Sequence, residues 1–428
     1  MNRSILRLAI PALGALAIDP LLTLADTAFV ARLGVNDLAA LGVDTAILGF
    51  AFFAFNFLAY VTTPLVARAL GSDDTEGARR WVGDALILAV ALGTLVAVLL
   101  LIFAPGLVGL MGAGDGISDP AVSYLRIRAL ATPAVLIVLA GHGAFRGYHD
   151  TRTPLLVAAL VNGVNLVLDP ILIFGAGWGL EGAAVATVVA QWLGAALFIR
   201  MLSHRGMIAR HQNIRSSLPT LLTLGRNGLL VSMRTAAILI ALTVAAGKAT
   251  RLGAEAIAAH QIVVQVWLLA SMGADAFAIA GQVMVGDAVG KRNRHLVNGL
   301  TGHLAGWGVG VGGILFLAFW FGRGLLATLS SDPSVADLAV DAGAVAALMQ
   351  PIAAPLFVAD GIFLGLLALG VLVGSTAFGS AVAVFLILFT GLGDTLVGIW
   401  WAIAAMLVAR LAVFAFAYTR SVTGALRS

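Results

Sequence analysis

The sequence predicts an all-α integral membrane protein of twelve transmembrane helices in two six-helix lobes related by pseudo-two-fold symmetry. Three observations carry that prediction. Hydrophobic residues make up 61% of the chain and charged residues only 11%, with a mean hydropathy of +1.03, whereas a soluble domain carries roughly 25% charged residues. The apolar runs are long enough to cross a bilayer, at about 20 residues per crossing, and 428 residues leave no room beside them for a sizeable soluble domain. A register of identities also ties the first half of the chain to the second.

Cutting at charged and turn-rich breaks places spans near 7–31, 38–66, 82–109, 121–145, 154–175 and 180–200. Six more follow near 218–247, 255–286, 296–321, 335–366, 371–392 and 396–419. The domains expected are an N-lobe over 1–202, a basic cytoplasmic linker over 203–217 and a C-lobe over 218–428. Met1–Arg7 runs straight into the first span, so no short signal peptide is expected. With both termini inside, sixteen Lys and Arg fall in cytoplasmic segments and six, including Arg126 and Arg128, in outer ones. That asymmetry puts both termini in the cytoplasm of a cell inner (plasma) membrane protein.

The repeat is read from Arg32-Leu33-Gly34, which recurs 219 residues later as Arg251-Leu252-Gly253. At the same spacing Ala39 and Ala40 meet Ala258 and Ala259, Gly71 meets Gly290, and Gly179 meets Gly398. The register is expected to run without a gap from the first span to the last. Gly302, Gly306 and Gly310 form a ridge of small residues expected to let helices approach closely.

Chemistry resides in the few polar groups inside the spans. Ile10–Gly34 carries Asp19 and Asp26, seven residues apart and so on one helical face, together with Pro11 and Pro20. An aspartate at the bilayer centre costs roughly 2.5–3.5 kcal/mol, so these acids face a bundle interior or a wet cavity. Each proline removes a backbone hydrogen bond, so the helix is expected to hinge there. A bent helix with two acids on one face points to a transporter. In span 5, Asn165 and Asp169 are one turn apart, with Pro170 following and Asn162 preceding. Asp26 and Asp169, facing each other beside Asn165 and Thr187, would form a proton or cation coupling site. Asp19, Asn162, Arg234, Gln261, Asp275 and Asp360 are the candidates for a substrate cavity. Arg234 is expected to pair with Asp275 or Asp360, and His260 to be a packed residue. Trp400 and Trp401 are expected as interface anchors.

Four segments, ADTAFVARLG, NLVLDPILIF, GWGLEGAAVAT and AAHQIVVQVW, resemble the multidrug and toxic compound extrusion (MATE) family, and most nearly its DinF-type branch. The resemblance covers the whole chain. It implies two lobes around a central cavity and drug export driven by protons or sodium. On it, Asp26 matches the first-helix acid, Pro11 the bend proline, and Asn165, Asp169 and Thr187 the polar cluster of proton-coupled members. Span 7 departs from sodium-coupled members: it has no carboxylate and carries Arg226 and Arg234 instead, although Asp360 could still match an acid those members use.

The expected function is therefore a secondary antiporter exporting amphipathic or cationic organic compounds in exchange for protons. The rivals are a sodium-coupled antiporter and a lipid-linked oligosaccharide flippase. No enzyme is expected: there is no cysteine, no HExxH and no serine–histidine arrangement of a known type. The expected partners are small-molecule drugs or toxic organic cations and the lipid bilayer. No nucleic acid partner and no cofactor or metal beyond the coupling ion, H+ or Na+, are expected, and the protein should be a monomer.

Overall fold

The structure is a computed structural model describing residues 1–209 and 214–427, without the side chains of residues 19, 50, 53 and 214–217. Asp19 and much of the expected linker, with Arg210 and Arg215, therefore lie outside the described residues. Among those described, the chain is helical throughout and contains no strand.

The first half of the chain comprises α1 (Asn2–Val30), α2 (Val35–Phe55), α3 (Phe57–Gly71), α4 (Thr75–Leu110), α5 (Ser118–Ala129), α6 (Thr132–Gly147), α7 (Arg152–Pro170) and α8 (Gly179–His204). The second comprises α9 (Ile214–Leu252), α10 (Ala254–Gly290), α11 (Arg294–Gly322), α12 (Pro333–Leu348), α13 (Gln350–Gly365), α14 (Leu369–Phe389) and α15 (Leu396–Arg427). Among the described residues, nine helices are singly long and apolar enough to cross a membrane. The pairs α5–α6 and α12–α13, bent by 49° and 55°, bring the number to eleven. The twelfth span is α2 with α3, separated by the single residue Asn56. Exposed apolar side chains such as Leu95, Ile102 and Phe103 on α4 are what a lipid-facing surface requires and what a soluble monomer avoids.

Packing divides the chain into two compact units, one of residues 14–228 and the other of residues 1–13 with 229–428. The expected boundaries at 202 and 218 follow loop composition. The division by packing falls within α1 and α9.

The repeat is built into the backbone of each unit. Asp73 and Arg292, 219 residues apart, both take a left-handed conformation (φ 59° and 51°). Each is followed by a capping residue: the Asp74 side chain accepts from the Gly77 amide at 2.7 Å, and that of Asn293 from the Leu296 amide at 2.9 Å. These caps start α4 and α11. The close helix contacts recur as well. A Cβ on Gly93 would lie 2.5 Å from Pro133 Cα, and one on Gly312 3.0 Å from Pro351 Cα. Gly143 faces Ala59 as Gly361 faces Ala278, and Gly147 faces Val66 as Gly365 faces Val285. The first pair keeps the 219 spacing, but Gly143–Gly361 and Gly147–Gly365 are 218 apart. The register is therefore not gapless. Two residues separate α5 from α6, and Met349 alone separates α12 from α13, so the bend absorbs one residue.

The glycine ridge of α11 also differs from expectation. Gly302, Gly306 and Gly310 are exposed, with nothing within 4 Å of a Cβ built on them. Close approach is made instead by Gly308, 2.9 Å from Pro355 Cα, and by Gly312, 2.8 Å from the Gln350 carbonyl. Two residues along a helix turn the side chain by about 200°, so the packed stripe is on the opposite face.

Candidate functional site

Within residues 14–228, α1 delivers Asp26 one turn before its end and α7 delivers Asp169 immediately before Pro170. Pro170 has no N–H, and the chain after it widens into a π turn over Ile171–Gly175, a distortion common at functional positions. Asp169 and Asn165 are both 1% exposed, and Asn165 Nδ2 donates to Asp169 Oδ1 at 3.2 Å. Asp26 lies close enough to Asp169 for the two carboxyls to act on each other, and Asp26 Oδ1 and Asp169 Oδ2 are both buried without a hydrogen-bond partner among the described residues. An ionised carboxylate offers only acceptors, so two carboxyls bond to each other only when one of them holds a proton.

Other side chains complete this cluster. Arg128 on α5 lies close enough to act electrostatically on Asp26, Asp169 and Asp44, and Tyr124 stands one turn before it. Asp44, on α2, is fully buried. Sequence reasoning missed Arg128 by placing it among the outer loop residues with Arg126. The signal was available: residues i and i+2 of a helix do not share a face, so one arginine of the pair had to point inward. Arg126 is the exposed one. Thr187 is not drawn into the cluster by a hydrogen bond, since its hydroxyl donates to the Ala183 carbonyl of its own helix at 3.0 Å. Among the described residues, no three His, Cys, Asp or Glu side chains converge as they would around a metal ion.

Asn162 faces a different space. It lines a cavity of about 270 Å³ with Leu16, Asn56, His142, Arg146 and Gln191, and its amide donates to Ala158 O at 2.8 Å. α1 is one continuous helix through Pro11 and Pro20. Pro20 cannot donate to the carbonyl of Leu16 four residues earlier, so the weak rung of α1 borders this cavity.

In the other unit, Asp360 of α13 is clamped. Arg410 Nη2 donates to Asp360 Oδ1 at 2.7 Å and Oδ2 at 2.8 Å, and Arg234 Nη2 reaches Oδ2 at 2.5 Å. Arg410 is 1% exposed and passes over Gly379, where a Cβ would sit 2.5 Å from its Cγ. Asp275 lies within electrostatic reach of Arg234 and Asp360. Gln261 is exposed on α10, as is Arg226 on α9. The expected cavity residues thus fall in two units, and no one unit holds them all. His260 is buried against Trp400, ring centroids 5.7 Å apart. Trp400 is itself fully buried, edge-on to Trp267 at 6.1 Å. It is a core residue rather than the expected interface anchor, because it turns toward α10, whereas Trp401 is exposed.

The loop before α7 carries a separate polar knot. Asp150 accepts from the Arg152 and Thr153 amides at 3.0 and 2.9 Å and from Arg205 Nη1 at 2.8 Å. Burial works against its charge, but the Thr153 and Arg205 hydrogen bonds prevail and hold the carboxyl below its ordinary value.

Comparison with known proteins agrees with this architecture. The MatE family profile matches residues 11–171 and, a second time, residues 229–390, so each half carries one copy. "Protein DETOXIFICATION 44, chloroplastic" of Arabidopsis thaliana is 33% identical over 427 residues, covering 96% of this chain and 81% of that one. "DNA damage-inducible protein F" of Escherichia coli (strain K12) is 29% identical over 299 residues, 68% of this chain and 64% of its own. A crystal structure of MATE in the bent conformation superposes with a TM-score of 0.89 at 23% identity, covering 100% of this chain and 96% of that one. With twelve spans, a duplicated half and both halves matched, the chain belongs to the MatE family of multidrug and toxic compound transporters: it is a multi-pass membrane protein and not an enzyme.

Proposed function

We propose that this transporter is a proton-coupled antiporter that exports amphipathic or cationic organic compounds, with Asp26 and Asp169 carrying the proton and Asn165 orienting Asp169. The observation that carries this reading is that two neighbouring carboxyls, Asp26 and Asp169, each keep a buried oxygen with no donor among the described residues, an arrangement that a shared proton satisfies. Protons enter from the outside. Neutralising the pair removes charge from the unit and α1 bends at its proline-weakened rungs, Pro11 and Pro20, so that substrate leaves. Substrate and proton are linked because each favours a different state of the same element.

Sodium coupling through Asp360 is disfavoured by the two arginines that already occupy its oxygens. The protein works as a monomer in the cell inner membrane with both termini in the cytoplasm, an orientation supported by the distribution of Lys and Arg.

The test uses purified protein in liposomes loaded with a fluorescent cationic dye, with a pH gradient and a sodium gradient imposed separately. Dye movement driven by pH and lost in Asp26→Asn supports the scheme. Movement driven by sodium alone, or full pH-driven transport in Asp26→Asn, overturns it.

A further inference from the structure

The proton pair does not use up the acid of its own unit. Asp44 is 0% exposed, and among the described residues neither of its carboxyl oxygens has a hydrogen-bond partner. Arg128 attracts it from the packed helix α5 without closing to a salt bridge, and Arg128 Nε and Nη1 are likewise buried and unbonded. Ionised groups taken out of water are ordinarily paired and hydrogen-bonded; Asp44 is not, and two of the three nitrogens of Arg128 are not.

The groups facing Arg128 are Asp26 from α1, Asp44 from α2, Asp169 from α7 and Tyr124 on its own helix. From α8, Glu181 accepts from the Ser123 hydroxyl of α5 at an exposed position. The α4 face packed in this core, around Leu100, Ala104 and Val108, carries no titratable residue. Three carboxyls therefore share one guanidinium. A single proton on the Asp26–Asp169 pair leaves one negative charge in excess, held by no donor. Neutrality needs a second proton, and of the three carboxyls Asp44 is the one with both oxygens buried and unbonded.

We propose that Asp44 is a second proton site of this unit, with Arg128 as the counter-charge shared between it and the Asp26–Asp169 pair. This rests on the proton-coupled reading and sets its stoichiometry. The second proton comes from outside water, binds a carboxyl oxygen of Asp44 and leaves to cytoplasmic water, and no other bond changes. With all three carboxyls ionised, Arg128 balances one of them; the pair and Asp44 each bind one proton as pH falls, so the cluster is neutral with two protons bound.

The experiment counts protons taken up by the purified full chain after a jump from alkaline to acid pH, read with a pH indicator, beside pH-driven dye transport in liposomes. Asp44→Asn should take up about one proton fewer than the natural chain, and its transport should depend less steeply on pH. An unchanged count and an unchanged profile overturn the inference. Should Asp44→Asn fail to elute as a folded monomer, Arg128→Gln decides: removing the shared cation should move the midpoint of pH-driven transport to higher pH by about one unit, a tenfold change in proton concentration. An unmoved midpoint sinks the proposal. Asp26→Asn, run alongside, separates the two readings. Full pH-driven transport there defeats proton coupling through the pair, whereas its loss together with an unchanged Asp44→Asn defeats only the second site.

Discussion

Replacing Asp360 with asparagine should unfold this protein more readily without touching the proton pair. Asp360 accepts three hydrogen bonds from two guanidiniums, at 2.5, 2.7 and 2.8 Å. Asparagine keeps one acceptor and turns an N–H2 group toward a cation, leaving Arg410, 1% exposed, largely uncompensated. Breaking a buried ion pair from one side costs about 3–5 kcal/mol. For a unit of this size each kcal/mol lowers the midpoint by about 2–4 °C, so a fall on the order of 10 °C is expected. Thermal unfolding in detergent, followed by the monomer peak on size exclusion, measures it. Replacing both partners, Asp360→Leu with Arg410→Met, should recover more than half of the loss, because apolar groups of similar volume substitute well for a buried pair and Arg234 keeps Asp275 within reach. The reasoning fails if Asp360→Asn melts within about 2 °C of the natural chain and yet no longer transports, for the acid would then serve transport and not the clamp.

Three further outcomes are expected. Gly361→Ala should lose about 1–3 kcal/mol or more, since its Cβ would collide with the Ala278 carbonyl, whereas Gly306→Ala, facing open space, should be neutral or stabilising; equal melting of the two would remove the packing argument. Asp150→Asn should lower stability at neutral pH by about 0.5–2 kcal/mol, the worth of a helix cap. Because folding holds the Asp150 carboxyl below its ordinary value, its contribution is present above that value and vanishes as pH falls through the folded one. The natural chain and Asp150→Asn should therefore converge in acid, and a gap that widens in acid contradicts the sign. Asn165→Ala should weaken pH-driven dye transport several-fold and leave folding intact, read by the same liposome assay, and an unchanged rate would take Asn165 out of the mechanism.

Much of this architecture was legible in the sequence because a bilayer makes it so: apolar runs must be long, their ends basic on one side, and their interior acids rare enough to inspect singly. Asp26, Asp169 and Asn165 were readable on that ground, since the cost of a buried acid and the one-turn spacing are both local properties. Asp44 was visible as one more acid lining its half, but its tie to Arg128 was not, because that lies in convergence from α2 and α5, and a lone arginine near a span end looks like a topology signal. Trp400 was misplaced for the same reason. Two adjacent tryptophans point in different directions, and only packing against Trp267 and His260 decides which one is core. The glycines of α11 were visible as a stripe, but an evenly glycine-rich helix offers two stripes, and the sequence does not say which faces protein.

The π turn at Ile171–Gly175 has a counterpart in the second half, and the two are wound differently: the later stretch, Gly391–Asp394, is a tight 3-10 turn. A π turn is geometrically what one extra residue makes of an α-helix, and a 3-10 turn is its overwound opposite. The duplicated gene thus kept its caps and its glycine contacts in both copies and diverged at the step after the acid. Lengthening or shortening that step re-aims the next helix by about 100° per residue while leaving the carboxyl before it in place. A duplication of this kind supplies one copy that preserves the fold and another free to acquire chemistry, and in this chain the unwound copy is the one beside Asp169.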